Sequence, residues 1–134
     1  MPKEVLIVDD DFDFVETTEI VLKSNGYETR TAHDGEEALK KVMEKVPDII
    51  LLDIMMKTKG DGIWASEQIR SKENAKDIPI IMITAVNQDA DMLKFHFEKD
   101  VGTDSSYIPV NVFMEKPIEI KDLLAEIKKL IGTS

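Results

Sequence analysis

Apolar positions along the chain follow two rhythms. Short continuous runs, VLIV (5–8), IILL (49–52), IPIIMIT (78–84) and VNVFM (110–114), have the length of strands. Runs without polar alternation predict strands covered on both faces, as in a parallel sheet. YETRTA (27–32) alternates instead and predicts a weaker strand.

Between these runs the spacing turns helical. Asp11 is placed as the N-cap before Phe14, Val15, Val21 and Leu22, and Gly26 supplies a stop. In DGEEALKKVMEKVP, Asp34 and Glu37 have capping-box spacing. Ala38, Leu39, Val42, Met43 and Val46 share one face before Pro47. A third helix is expected from near Gly62 to Ser71, burying Ile63 and Ile69, and a looser fourth over 88–99. Leu123, Leu124, Ile127 and Ile131 repeat at helical spacing before Gly132. Strand and helix therefore alternate five times, which predicts a doubly wound α/β domain with a parallel sheet.

Composition narrows the class. The 134 residues suit one domain, 1–134, with one core, and 43% hydrophobic with 33% charged residues suits a globular chain. Seventeen basic against 27 acidic residues leave a net charge of −10, which opposes nucleic acid or anionic membrane as direct partners and favours cations. No cysteine is present, and no apolar run has the length of a membrane span or signal peptide, so a cytoplasmic location is expected. The two histidines, His33 and His96, lack metal-ligand spacing, and the methionines read as core filling.

In doubly wound sheets, ligands bind beyond the carboxyl ends of the strands. The first predicted strand ends in Asp9 and Asp10, the third in Asp53, the fourth in Thr84, and the last in EKP with Lys116. Singly, each has an ordinary account as a helix-dipole partner, turn residue, strand residue or surface charge. Together they gather three carboxylates, a hydroxyl and an ammonium at one edge. Two carboxylates about 4 Å apart repel by roughly 4 kcal/mol at an effective dielectric of about 20, so either the acids splay into water or a cation sits among them. Oxygen ligands suit Mg²⁺. A carboxylate is also a nucleophile toward phosphorus, and a transferring phosphoryl group is served by a metal, a fixed ammonium and a hydroxyl.

The motifs LIVDDD, LLDIMM followed by GDG, IMITA and EKP, in this order, resemble the receiver domain of bacterial two-component response regulators. The resemblance covers nearly the whole chain. It implies a flavodoxin-like (βα)5 domain of strand order 2-1-3-4-5, and a stand-alone, chemotaxis-regulator-like protein that is not an enzyme but a regulatory phosphoacceptor assisting its own phosphorylation and dephosphorylation. Carried over by position, Asp53 accepts a phosphoryl group from a phosphohistidine of a sensor histidine kinase or phosphotransfer protein, and the altered domain controls an output partner. Asp10 and Asp53 ligate Mg²⁺ with the backbone carbonyl of Met55, and Asp9 acts through a metal-bound water. Lys116 and Thr84 bond phosphoryl oxygens, and Thr84 and Phe113 form the switch.

The chain departs from the family pattern in three places. Lys57 stands where the family usually has proline, in a longer loop before the DG pair. Phe113 replaces the commoner tyrosine. The Thr84–Lys116 interval is extended, and KDVGTDSSYIPV (99–110) is expected to be an ordered loop over part of the partner-reading face. Two rival readings remain at this level. One is a haloacid-dehalogenase-like phosphotransferase or phosphatase, with Asp9 and Asp11 as its first-strand D-x-D. The other is a phosphorylation-independent binding module.

Overall fold

The computed structural model describes residues 2–54, 61–85 and 112–132, and of Asp61, Thr84, Ala85 and Phe113 the backbone alone. Five strands, β1 (Glu4–Val8), β2 (Glu28–Ala32), β3 (Ile49–Asp53), β4 (Ile80–Ala85) and β5 (Val112–Lys116), form one sheet of order β2-β1-β3-β4-β5. Every neighbouring pair is parallel. Helices α1 (Phe12–Ser24), α2 (Gly35–Glu44), α3 (Asp61–Arg70) and α4 (Ile120–Ile131) are the helices among the described residues. The expected helix over 88–99 and the 99–110 stretch lie outside them.

The continuous apolar runs are continuous because both faces of the sheet are covered. Successive side chains of a strand point to opposite faces. Leu6, Val8, Ile50, Leu52, Ile80 and Met82 accordingly pack with Ala38 and Val42 of α2 and Ile63, Ala65 and Ile69 of α3. Val5, Ile7, Ile49, Leu51, Ile81 and Ile83 pack with Val15 and Leu22 of α1 and Leu123 and Ile127 of α4. Burying each such side chain stabilises the fold by about 2 kcal/mol, so the central strands anchor the molecule. β2 lies at the edge of the sheet and keeps only Ala32 fully buried, in line with its weaker pattern.

Local chemistry sets the helix ends. Asp11 caps α1, its carboxylate accepting from the backbone N–H of Asp13 and Phe14. At the other end, Gly26 takes a positive φ of 89°. Its N–H donates to the Lys23 carbonyl and that of Tyr27 to the Leu22 carbonyl, a Schellman closure whose apolar pair, Tyr27 and Leu22, is buried in one cluster. Asp34 caps α2 through the Glu37 N–H at 2.8 Å. The Glu37 carboxylate returns to the His33 N–H at 2.7 Å, one residue before the cap.

Three expectations are corrected. Met43 was assigned to the apolar face of α2 but is 49% exposed, because the buried stripe there is carried by Ala38 and Val42 and leaves Met43 outside it. α2 also ends at Glu44, short of Pro47, with Lys45 already extended at φ −159° and ψ 125°. The last strand runs on to Lys116, past the expected end at 114, because its pairing with β4 continues to Ala85, and residues 110 and 111 lie outside those described.

One buried group has no physical account in this packing. Thr18 on α1 is buried, and its hydroxyl meets no hydrogen-bond partner among the described residues. An unsatisfied buried hydroxyl costs about 1–3 kcal/mol. The isosteric Thr18→Val is therefore expected to raise unfolding stability by about 1 kcal/mol in urea titration. A loss of stability would show that the hydroxyl is satisfied in solution.

Candidate functional site

The carboxyl edge of the sheet assembles side chains distant in sequence. Asp9 directly follows β1, and its N–H donates to the Ala32 carbonyl at 3.1 Å, fixing it beside the end of β2. It is fully buried. Its Oδ1 accepts from the Asp11 N–H at 3.0 Å, so one acid holds the turn from β1 into the cap of α1. Asp10, between them, is exposed. Asp53 closes β3 and is buried. One carboxylate oxygen from each of Asp9, Asp10 and Asp53 lies within 4.8 Å of the others.

Lys116 reaches this cluster from the end of β5, where it pairs with Ala85 of β4. Its Nζ lies 3.1 Å from Asp9 Oδ2 and 3.8 Å from Asp53 Oδ2. At this distance the Asp9 contact is an ion pair with hydrogen-bond character, although Oδ2 receives no donor at ideal angles among the described residues. Burial works to lower the Lys116 pKa, yet the charges of Asp53, Asp9 and Asp11 together outweigh it and hold the pKa above its ordinary value. The Lys116–Pro117 peptide bond is cis.

The path out of β3 is equally constrained. The Ile54 N–H donates to the Ile83 carbonyl at 2.9 Å, and the Gly62 N–H to the Ile54 carbonyl at 3.0 Å. A Cβ on Gly62 would stand 2.1 Å from the Asp53 carbonyl oxygen and 2.6 Å from the Ile54 Cα. Only glycine lets α3 begin this close to Asp53.

Of the site residues read from the sequence, Asp9, Asp10, Asp53 and Lys116 are brought together. The backbone of Thr84 lies on β4 opposite Glu115, and that of Phe113 on β5 opposite Met82; their side chains lie outside what the structure describes. Met55 lies outside the described residues altogether. Asp11, the second acid of the rival D-x-D, is engaged as a helix cap.

Sequence reasoning missed three features. The steric role of Gly62 has no signature in the GDG motif. Phe14 was read only as an apolar helix position, whereas Lys116 Nζ lies over its ring, 5.1 Å from the centroid. Phe12 is 68% exposed, and its ring contacts His33 at a centroid distance of 4.6 Å. The available signal was positional: Phe12 and Phe14 both fall in the first turn of a helix that starts at the carboxyl edge.

Comparison with known proteins places this geometry. The family model of the response regulator receiver domain matches residues 5–128. The chain is 34% identical, over all of its 134 residues, to the alkaline phosphatase synthesis transcriptional regulatory protein PhoP of Bacillus subtilis, and spans about half (50%) of that relative's length. Its fold is similar to a crystal structure described as a response regulator from Chloroflexus aurantiacus, at 30% identity and TM-score 0.81, covering 98% of this chain and 99% of that one. It is also similar to the receiver domain of the sensor histidine kinase PA1611 from Pseudomonas aeruginosa, with 26% identity, TM-score 0.80 and coverage of 99% and 100%. In that structure a magnesium ion is coordinated in the active-site cleft. The chain belongs to the response regulator receiver domain family, whose members are regulatory phosphoacceptors.

The ion pairs of Lys116 make a signed prediction. A folded-state pKa raised above the ordinary 10.5 means that the stabilisation is fully present below that pH and is lost as pH climbs through the raised value. The stability difference between the native protein and Lys116→Met, read by urea unfolding, is expected to hold through neutral pH and to narrow above 10.5. A difference that persists unchanged above the lysine range contradicts the pairing.

Proposed function

We propose that residues 1–134 act as one receiver domain in which Asp53 is the phosphoacceptor. The donor is a phosphohistidine on a sensor histidine kinase or phosphotransfer protein. One observation carries the reading: an ammonium fixed 3.1 Å and 3.8 Å from two buried carboxylates that end different strands. This is the charge pattern that phosphoryl transfer to a carboxylate requires.

The donor set also fits a hard divalent cation. Three carboxylates converge, and Asp9 Oδ2 is buried without an aligned hydrogen-bond donor. Asp10, Asp53 and Asp9 would hold Mg²⁺, with the carbonyl of Met55 added by the family resemblance. When bound, Mg²⁺ supplies positive charge that offsets the oxygens of the transferring group.

The chain's own groups account for the remaining steps. An Asp53 carboxylate oxygen attacks phosphorus in line, the P–N bond to the donor imidazole breaks, and the imidazole nitrogen keeps the bonding pair. The product is an acyl phosphate. Lys116 pairs with a phosphoryl oxygen, exchanging part of its contact with Asp53 for one with the new group. The Thr84 hydroxyl donates to another phosphoryl oxygen, and its movement makes room for the Phe113 ring. A phenyl ring has no polar tip to satisfy, so packing alone favours its inward position. That conformational change is what an output partner reads. By polarising the same phosphorus toward water, the site also assists the return reaction.

The haloacid-dehalogenase reading is disfavoured by engagement of its acids. Asp9, its would-be nucleophile, is fully buried with Oδ1 taken by the Asp11 N–H and Oδ2 facing Lys116. The binding-module reading leaves the retained acids and lysine without a role. Among the described residues, no helix is long and apolar enough to cross a membrane.

Acetyl phosphate with Mg²⁺ is expected to add one hydroxylamine-labile phosphoryl group, mapped to Asp53 and abolished in Asp53→Ala. Labelling at Asp9, or a hydroxylamine-stable phosphoester, would sink the proposal.

A further inference from the structure

The Lys116 ammonium meets an aromatic ring as well as its two acids. Its Nζ lies 5.1 Å from the centroid of the Phe14 ring. Phe14 is itself placed by the site. Its N–H donates to Asp11 Oδ1 at 3.2 Å, the Asp11 N–H donates to Asp9 Oδ1 at 3.0 Å, and Asp9 Oδ2 meets Lys116 at 3.1 Å. The circuit closes from acid to cap, from cap to ring, and from ring to ammonium.

We propose that Phe14 is a positioning residue for the reaction at Asp53: its ring carries the Lys116 ammonium and keeps it between Asp9 and Asp53, where an incoming phosphoryl oxygen meets it. The proposal rests on the phosphoacceptor reading above.

The chemistry of the two groups favours this role. A lysine stem is long and flexible, and an ammonium near an acid pair could fold onto one acid or turn to water. The negative face of an aromatic ring attracts a cation without offering a lone pair that claims a particular N–H. The three N–H groups of Lys116 therefore stay available to oxygen atoms while the nitrogen is held in place. An aliphatic side chain of similar bulk would pack against the same cluster equally well but would not attract the charge. The half-buried ring does also pack against the cluster of α1 and α4. If that packing were its whole purpose, Lys116 would be indifferent to the electron density of the ring.

The experiment varies that density at constant shape. Mono-, di- and trifluorophenylalanine are placed at position 14 of the full chain, alongside Phe14→Leu. Two properties are followed: nuclear Overhauser contacts between the Lys116 ε-protons and ring 14, and the rate of Mg²⁺-dependent phosphorylation by acetyl phosphate. Across the fluorinated series the rate is expected to fall in steps, by about fivefold in all, with the Lys116 contacts weakening in parallel and melting changed little. Phe14→Leu is expected to be as slow as the trifluoro form. A trifluoro form with native contacts and native rate, or a Leu form with native rate, would overturn the proposal. If the native protein takes no phosphoryl group at all, the phosphoacceptor reading fails and the positioning role falls with it. The contact series then still decides whether the ring holds the ammonium.

Discussion

The Lys116 ammonium stands between two buried carboxylates that the sheet forces together. Asp9 directly follows β1 and Asp53 closes its neighbour β3, so their separation is set by strand pairing and not by their own charges. Repulsion of roughly 4 kcal/mol per close pair opposes that placement. Burial of Val5, Leu6, Ile7 and Val8, at about 2 kcal/mol each, outweighs it for β1 alone. The core thus holds the acids in a position they would not choose, and Lys116 relieves part of the strain. Among the described residues Lys116 sets one positive charge against three converging carboxylates.

The opposite edge of the sheet shows the contrast. Glu4 is also buried, but it is paired with Arg30 at 2.9 Å and Lys45 at 3.6 Å. Arg30 further donates to the Lys41 carbonyl at the end of α2, where a cation complements the helix dipole. One acid there meets two cations, whereas at the carboxyl edge three carboxylates converge and Lys116 reaches Asp9 and Asp53. The first arrangement locks a helix to a sheet. The second gathers like charges at a strand end, and the proposed metal and phosphoryl chemistry rests on that difference.

Much of this was legible in the chain. Continuous apolar runs gave the parallel sheet because both faces of every central strand are covered, and abrupt acids at the run ends gave the edge. The Asp11 cap was legible because a carboxylate before a helical pattern has a local purpose. What was not legible depends on approach between elements. Met43 has the right residue type for a buried stripe, but the width of that stripe depends on how α2 seats against the sheet. Gly62 is explained only by the closeness of α3 to the Asp53 backbone. Phe14 sits in an apolar pattern that predicts burial, and no spacing rule places a lysine from residue 116 over its ring.

The central claim is that the carboxyl edge is electrostatically incomplete without a divalent cation. The most direct measurement is the melting temperature across a Mg²⁺ titration, for the native protein and for Asp10→Asn. The native protein is expected to melt higher as Mg²⁺ reaches millimolar concentration, by mass action on the folded state. Asp10→Asn is predicted to start higher without metal, having lost one repelling charge, and to respond far less to it. Native melting that is indifferent to millimolar Mg²⁺ would contradict the account.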